Sequence, residues 1–402
     1  MLSNCVFKEG FNCKGISLAH KPYMTKVQSI TDKLTQNESE ISAKIKDISN
    51  YTYYFAPFLD SCEVSLGKID KSDIEKCEVI KKEIITKNGS TTTIPSGTSS
   101  QDQHFRTSTI RYIGKYNLAT FLSLQIENIE ITIKNIVFTF SYIQKALHEL
   151  MANNLLYYGL IESNIMCDDN THYPIIFDFT ISVDVSNYQE SGIMQRMKES
   201  NNYQYEPWCI EIFLLSYMCY KKETSADNET AKLTEKDIDI IIEQFYNRAG
   251  GTGVGQEIKH NNSIKELLNQ QIENKTKLKD FLLRFIGQSY DDLCGNLITY
   301  AKSWDIYSLA IMYLKILFDL KLNDNIFFKE FIEYLIAIIT CTPDIRETIM
   351  LSKTIEQMFS NKSRTQLEEM KKSYYLTDEM KSEIQSRIQE TQSIDKNQRQ
   401  QL

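Results

Sequence analysis

The segment Leu155–Ser182, LLYYGLIESNIMCDDNTHYPIIFDFTIS, holds the residues whose types and spacing are best suited to chemistry. Asn164, followed by the apolar Ile165, lies fourteen residues before Asp178, which with Phe179 closes an apolar run. Between them CDDNTHYP supplies the Asp, Asn and Pro of a tight connection between two short strands. A loop, a hairpin and a second loop in that order set one amide and one carboxylate side by side.

Other elements must hold that segment. Ile136, Phe140, Ile143, Leu147 and Leu150 have helical spacing and lead straight into it. Nearer the N-terminus, YMTKV is an extended segment in which Lys26 sits among alternating apolar and polar residues. Ile41, Ile45 and Ile48 then make Glu38–Ile48 an amphipathic helix. Tyr51, Tyr53, Tyr54, Phe55 and Phe58 form an aromatic cluster that reads as core. Residues 63–104 are polar and end in KNGSTTTIPSGTSSQDQH, a surface insertion. A second insertion, about residues 220–300, carries helical stretches at Leu233–Tyr246 and Ile264–Phe285. Its glycine run Ala249–Gly255 lacks the Gly-Lys-Ser/Thr of a phosphate loop and reads as a linker. Phe331–Cys341 is too short to span a bilayer and is expected as a buried helix. Residues 361–402 are charged and Gln-rich, a helical or frayed tail.

Composition narrows the class. With 402 residues, 42% apolar and 24% charged, the chain suits one large two-part domain or two ordinary ones. A net charge of -8 argues against a broad nucleic-acid-binding surface. Only 14 Gly and 6 Pro favour long helices over a turn-rich sandwich. Nine Cys without a C-x-x-C spacing read as reduced thiols, in neither a disulfide framework nor a zinc site. MLSNCVFKEG has no apolar core of a signal peptide, so a cytoplasmic protein with no membrane partner is expected.

Lys26, Glu40, Asn164, Asp178, Glu211, Asp305 and Arg346 occur in the order and approximate spacing of the eukaryotic-type protein kinase fold, over about residues 8–358. The chain is most similar in flavour to the divergent serine/threonine protein kinases of large DNA viruses, in SNYTYYFAPFLDSC, PIIFDF and SWDIYSLAIMYL. If it is viral, the expected location is the host cytoplasm or the virion. The resemblance implies an α+β, bilobal fold. A small β-rich N-lobe with one helix would cover residues 1–113, and a larger, mainly helical C-lobe 114–360. It implies that Gly10 and Gly15 belong to a Gly-rich loop, although Asn12 stands at the middle glycine and an ordinary turn is the alternative. Lys26 would meet the ATP phosphates and pair with Glu40, or alternatively Glu38, while Asn164 and Asp178 would hold Mg2+. A hinge around Gly114 would face the adenine. Asp305, in SWDIYSLAIMYLKIL, would hold the backbone of the catalytic loop, and Glu211 would pair with Arg346.

The departures are concentrated in that loop. Aligned on Asn164, the kinase pattern H-R-D-L-K-P-E-N falls on YYGLIESN. Tyr157 and Tyr158 replace the His and Arg, the latter removing the usual docking cation for a phosphorylated activation segment. Gly159 replaces the Asp that orients the substrate hydroxyl, and Ile161 the Lys that steadies the transferring phosphate. Neither can accept a proton or carry charge. Glu162, Asp168 and Asp169 are the substitute carboxylates within reach along the chain. Thr180 replaces the Gly after Asp-Phe and narrows the loop to fewer conformations.

The leading expectation is a catalytically impaired kinase homologue, a pseudokinase. It would keep part of an ATP/Mg2+ site, with ATP bound weakly or not at all, and act by binding or scaffolding a protein partner. The alternatives are a weakly active serine/threonine kinase with a displaced base, and a wholly vestigial site with the two insertions as working surfaces.

Overall fold

Asp32 starts the first helix by accepting the backbone N–H of Leu34 at 3.0 Å, and the sheet that helix covers is built from alternating β-branched residues. The structure, a computed structural model, describes residues 5–7, 23–30, 32–65, 104–191, 193–195, 207–225, 231–248, 272–352, 355–360, 362, 364–374 and 376–401. Its strands are β1 (Cys5–Phe7), β2 (Tyr23–Ser29), β3 (Phe55–Ala56), β4 (Asp60–Ser65), β5 (His104–Arg111), β6 (Tyr116–Asn117), β7 (Leu155–Leu156), β8 (Ile165–Cys167), β9 (Pro174–Phe177) and β10 (Val183–Asp184).

Strands β1, β2, β5 and β4 form an antiparallel sheet in the order β1-β2-β5-β4. Lys26 is central in β2, opposite Ser108 of β5 and Val6 of β1. Helix α1 (Lys33–Lys46) buries Leu34, Glu38, Ile41 and Ile45 along one face. A second sheet, in the order β3-β9-β8-β6, carries the hairpin expected between Asn164 and Asp178; β7 and β10 form a two-stranded ribbon.

The remainder is helical: α2 (Leu118–Leu124), α3 (Ile129–Ala152), α4 (Ile210–Thr224), α5 (Glu235–Arg248), α6 (Ile272–Leu283) and α7 (Tyr290–Leu297), then α8 (Trp304–Asp319), α9 (Lys329–Thr340), α10 (Pro343–Ser352), α11 (Ile355–Ser360), α12 (Arg364–Ser373) and α13 (Asp378–Gln401). The chain is therefore α+β, as expected. Every residue of α8 is buried, which makes it the core axis of the helical part. Phe331 and Leu335 of α9 are buried, in line with the helix expected there. No helix among the described residues is long and apolar enough to cross a membrane.

The helices expected at the periphery are packed against the core. Helices α5 and α6, expected within an insertion, bury Ile238, Ile241, Leu278 and Phe281 in the main core. The tail helix α13 is docked, not frayed. Ile384 and Ile388 are buried, Thr391 donates to Asp319 at 3.0 Å, and Gln385 donates to Ser123 of α2 at 3.0 Å. The expectation of reduced thiols holds for Cys167, Cys209, Cys219, Cys294 and Cys341, which are free and buried. It fails at Cys62 of β4, which is disulfide-bonded, because spacing along the chain does not show which thiols folding brings together.

Candidate functional site

Lys26 is buried, and its ammonium reaches three oxygens: Glu38 Oε2 at 2.6 Å, Asp178 Oδ1 at 2.8 Å and Thr180 Oγ1 at 2.9 Å. An ammonium has three N–H donors, so all three are engaged. Gln28, two residues along β2, donates to the same Glu38 oxygen at 2.9 Å. Burial pushes the Glu38 carboxyl up; Lys26 pulls it down, and the Asp178 charge pushes it up again. Two carboxylates thus lean on one buried cation, with Glu38 buried beside it and Asp178 part-buried.

The partner of Lys26 is Glu38, not Glu40, which corrects the leading expectation. At 3.6 residues per turn Glu38 lies about 20° from Ile45 around the helix, and Glu40 about 140° away. Glu40 is exposed and lines a small polar cleft of about 110 Å³ with Lys44 and Asp184.

Asp178 emerges from β9 with φ 62, a left-handed conformation. Tyr157 secures that turn, its hydroxyl donating to the carbonyls of Phe177 at 2.7 Å and Asp178 at 3.0 Å. Phe179 is buried edge-on between Phe55 and Tyr157, with ring centroids 6.1 and 5.6 Å away. Asn37 of α1 donates to the carbonyls of Thr180 at 3.0 Å and Ser182 at 2.9 Å, tying the segment after Asp178 to the helix. The register Ile165↔Ile176 puts Asn164 and Asp178 at the same end of the β8–β9 hairpin. Asn164 is buried, and its Nδ2 has no hydrogen-bond partner among the described residues.

Sequence reasoning missed Gln28, Asn37 and the Thr180 hydroxyl. A signal existed for Asn37, a polar residue adjoining the buried Leu34–Glu38–Ile41 face, but none for the hydroxyl, whose partners come from distant segments. Gly10, Gly15 and the Ala249–Gly255 linker lie outside the described residues, as does most of the 63–104 insertion.

Behind this cluster, Asp305 at the start of α8 accepts the backbone N–H groups of Tyr157 at 2.7 Å and Tyr158 at 2.8 Å. Burial pushes its carboxyl up to about 6, against the pull of those two bonds. Tyr158, at φ 67, meets the Tyr188 hydroxyl at 2.6 Å, and its carbonyl accepts Trp208 Nε1 at 2.8 Å. Gly159 follows at φ 151, a backbone region that glycine enters and other residues resist. Ile161 is buried among core side chains. Arg346 holds Glu211 through two bonds, of 2.7 and 3.2 Å, and donates to Ser303 at 3.1 Å, all three residues buried. Burial draws the guanidinium down, but the Glu211 carboxylate outweighs it and holds Arg346 above its ordinary value.

The other carboxylates near the hairpin serve the backbone. Asp168 Oδ1 accepts the N–H groups of Asn170 at 3.0 Å and Thr171 at 2.8 Å, closing the turn. Asp169 accepts Lys115 N at 2.9 Å and Tyr112 Oη at 3.1 Å. Gly114 is required beside them, since a Cβ there would lie 1.9 Å from the Cys167 carbonyl oxygen.

Mg2+ typically takes one or two carboxylates plus the oxygens of its nucleotide. Here the one carboxylate at the hairpin end, Asp178, has Oδ1 engaged by Lys26 and Thr180, and Lys26 has no donor left for a phosphate. No three His, Cys, Asp or Glu side chains group as metal ligands among the described residues. As arranged, Lys26 and Asp178 Oδ1 are held by one another and by Glu38 and Thr180, so a nucleotide phosphate on Lys26 would have to displace one of these contacts. A separate cavity of about 810 Å³ runs along α3, lined by Ile133, Val137, Phe138, Phe359 and Leu367, and borders none of this cluster. No protein-family model matches the chain, and no curated protein does.

Proposed function

We propose that the chain is a pseudokinase: a bilobal, protein-kinase-like fold that acts by binding a protein partner rather than by transferring phosphate. The observation carrying this reading is the contrast within one site. The supports stand assembled as Lys26–Glu38, Asp305 beneath Tyr157 and Tyr158, and Glu211 with Arg346. The positions that would move a proton and clamp a phosphate hold Gly159, at φ 151, and the buried Ile161. Loss of a positioned general base lowers a rate by roughly 10²–10⁴-fold, and loss of charge stabilisation lowers it further. The three candidate substitutes also support the reading, since Glu162 is buried, Asp168 caps the hairpin turn and Asp169 is engaged by Lys115 N and Tyr112 Oη.

The β1-β2-β5-β4 sheet with α1 would be the N-lobe and the helices from α2 onward the C-lobe, meeting near Gly114. The buried Tyr158–Tyr188 hydroxyl pair would take the place of an Arg–phosphate contact, holding the segment after β10 without phosphorylation. The test is a transfer assay with purified protein, ATP, Mg2+ and a generic acceptor protein. Phosphate incorporation that disappears in Asp178→Ala would overturn the proposal; incorporation at background supports it.

A further inference from the structure

We infer that Thr180 is a built-in substitute for the ligand of the Lys26 site, closing it without nucleotide and competing with a divalent cation for Asp178 Oδ1. The inference rests on the kinase-like reading for what the site would otherwise bind, and on geometry alone for the closure.

Thr180 Oγ1 touches all three charged members of the site. It accepts from Lys26 Nζ at 2.9 Å, lies 2.8 Å from Glu38 Oε2, and is in hydrogen-bond contact with Asp178 Oδ1. Its one hydrogen is shared between the two carboxylates, and its lone pair takes the third donor of Lys26. A phosphate oxygen would need that donor, and a cation bound through both Asp178 oxygens would compete with Lys26 and Thr180 for Oδ1. The hydroxyl is fixed in place because Asn37 grips the Thr180 and Ser182 carbonyls from α1. Thr180 is fully buried, so water cannot substitute for its contacts. A glycine at this position would leave Lys26 one acceptor short and free the backbone from β-branched restriction.

The experiment compares the full chain with Thr180→Val, which keeps the shape and removes the hydroxyl, Thr180→Ser, which keeps the hydroxyl, and Thr180→Gly. Hydrogen exchange at the Ser182 amide, which donates to Phe179 O at 3.1 Å, reads the closure directly. Hydrogen bonds to charged groups contribute enough that exchange should rise about tenfold or more in Thr180→Val and Thr180→Gly and stay near wild type in Thr180→Ser. Titration with ATP, with and without Mg2+, reads the consequence. The wild-type chain and Thr180→Ser should show no gain from Mg2+, and Thr180→Gly should bind Mg-ATP about tenfold more tightly than wild type.

Unchanged exchange in Thr180→Val would overturn the inference, as would wild-type protein that binds Mg-ATP as tightly as Thr180→Gly. If no variant binds ATP while Thr180→Val still loosens Ser182, the closure stands and the nucleotide part of the inference is overturned. Phosphate transfer by the wild-type chain would instead overturn the proposed function, a separate failure with a separate readout.

Discussion

Lys26 and Asp178, 152 positions apart in the chain, meet at 2.8 Å in a buried site, with Glu38 on the other side of the same ammonium. One cation between two carboxylates ties the β1-β2-β5-β4 sheet, α1 and the end of the β8–β9 hairpin together. Removing Lys26 or Glu38 leaves a buried partner charge uncompensated, whereas Asp178 is part-buried.

That linkage separates two neighbouring glutamates. Glu38→Ala should destabilise the chain by about 3 kcal/mol, the scale for breaking a buried pair. Glu40→Ala, on the exposed face, should stay within about 0.5 kcal/mol of wild type. Urea unfolding of the two variants checks the assignment, and equal losses would count against it.

Asp305 gives the stability a recognisable pH dependence. Its carboxyl is pushed by burial from 3.8 up to about 6, so the folded chain binds a proton more tightly than the unfolded chain between those values. The resulting contribution is complete below 3.8 and is lost as pH rises through about 6. Relative to Asp305→Asn, wild type should therefore lose on the order of 3 kcal/mol between about pH 4 and pH 7. A stability difference that does not vary with pH would contradict this.

Docking of α13 makes the C-terminal segment part of the core. Ile384→Ala and Ile388→Ala should each cost about 2–5 kcal/mol, while the exposed Ser386→Ala should be nearly neutral. Thermal unfolding distinguishes these values from the small effects expected of a frayed tail.

Restoring the residue types of a working catalytic loop should not restore transfer. In Gly159→Asp the new side chain meets a backbone at φ 151, at a cost of about 1–3 kcal/mol, and in Ile161→Lys an ammonium enters a buried position. The double variant should be less stable than wild type and remain at the transfer background of Asp178→Ala. Transfer above that background would favour the weakly active alternative.

Much of this arrangement could be read along the chain. The β8–β9 hairpin followed from its turn residues, and α3 and α9 from apolar periodicity. The Glu211–Arg346 and Asp305 contacts are those expected from the resemblance, and both are present. The choice between Glu38 and Glu40 is legible in the chain, since the buried face marked by Ile41 and Ile45 includes position 38. The tail was harder, because Ile384 and Ile388, although spaced as on one helix face, are sparse apolar residues in a charged, Gln-rich helix, and the surfaces of α2 and α8 reveal that they are covered.

The sequence alone determined that the side chains at Gly159 and Ile161 supply no proton acceptor or charge, in any conformation. It also determined local structure wherever spacing or turn residues act within a few positions. Only the tertiary structure decided what the surviving polar residues do. Lys26, Glu38, Asp178 and Thr180 come from separate elements, and their hydrogen bonds depend on distances that no local pattern encodes. Thr180 reads in the chain as a stiff residue where glycine is usual; in the fold its hydroxyl fills the last position around a buried cation.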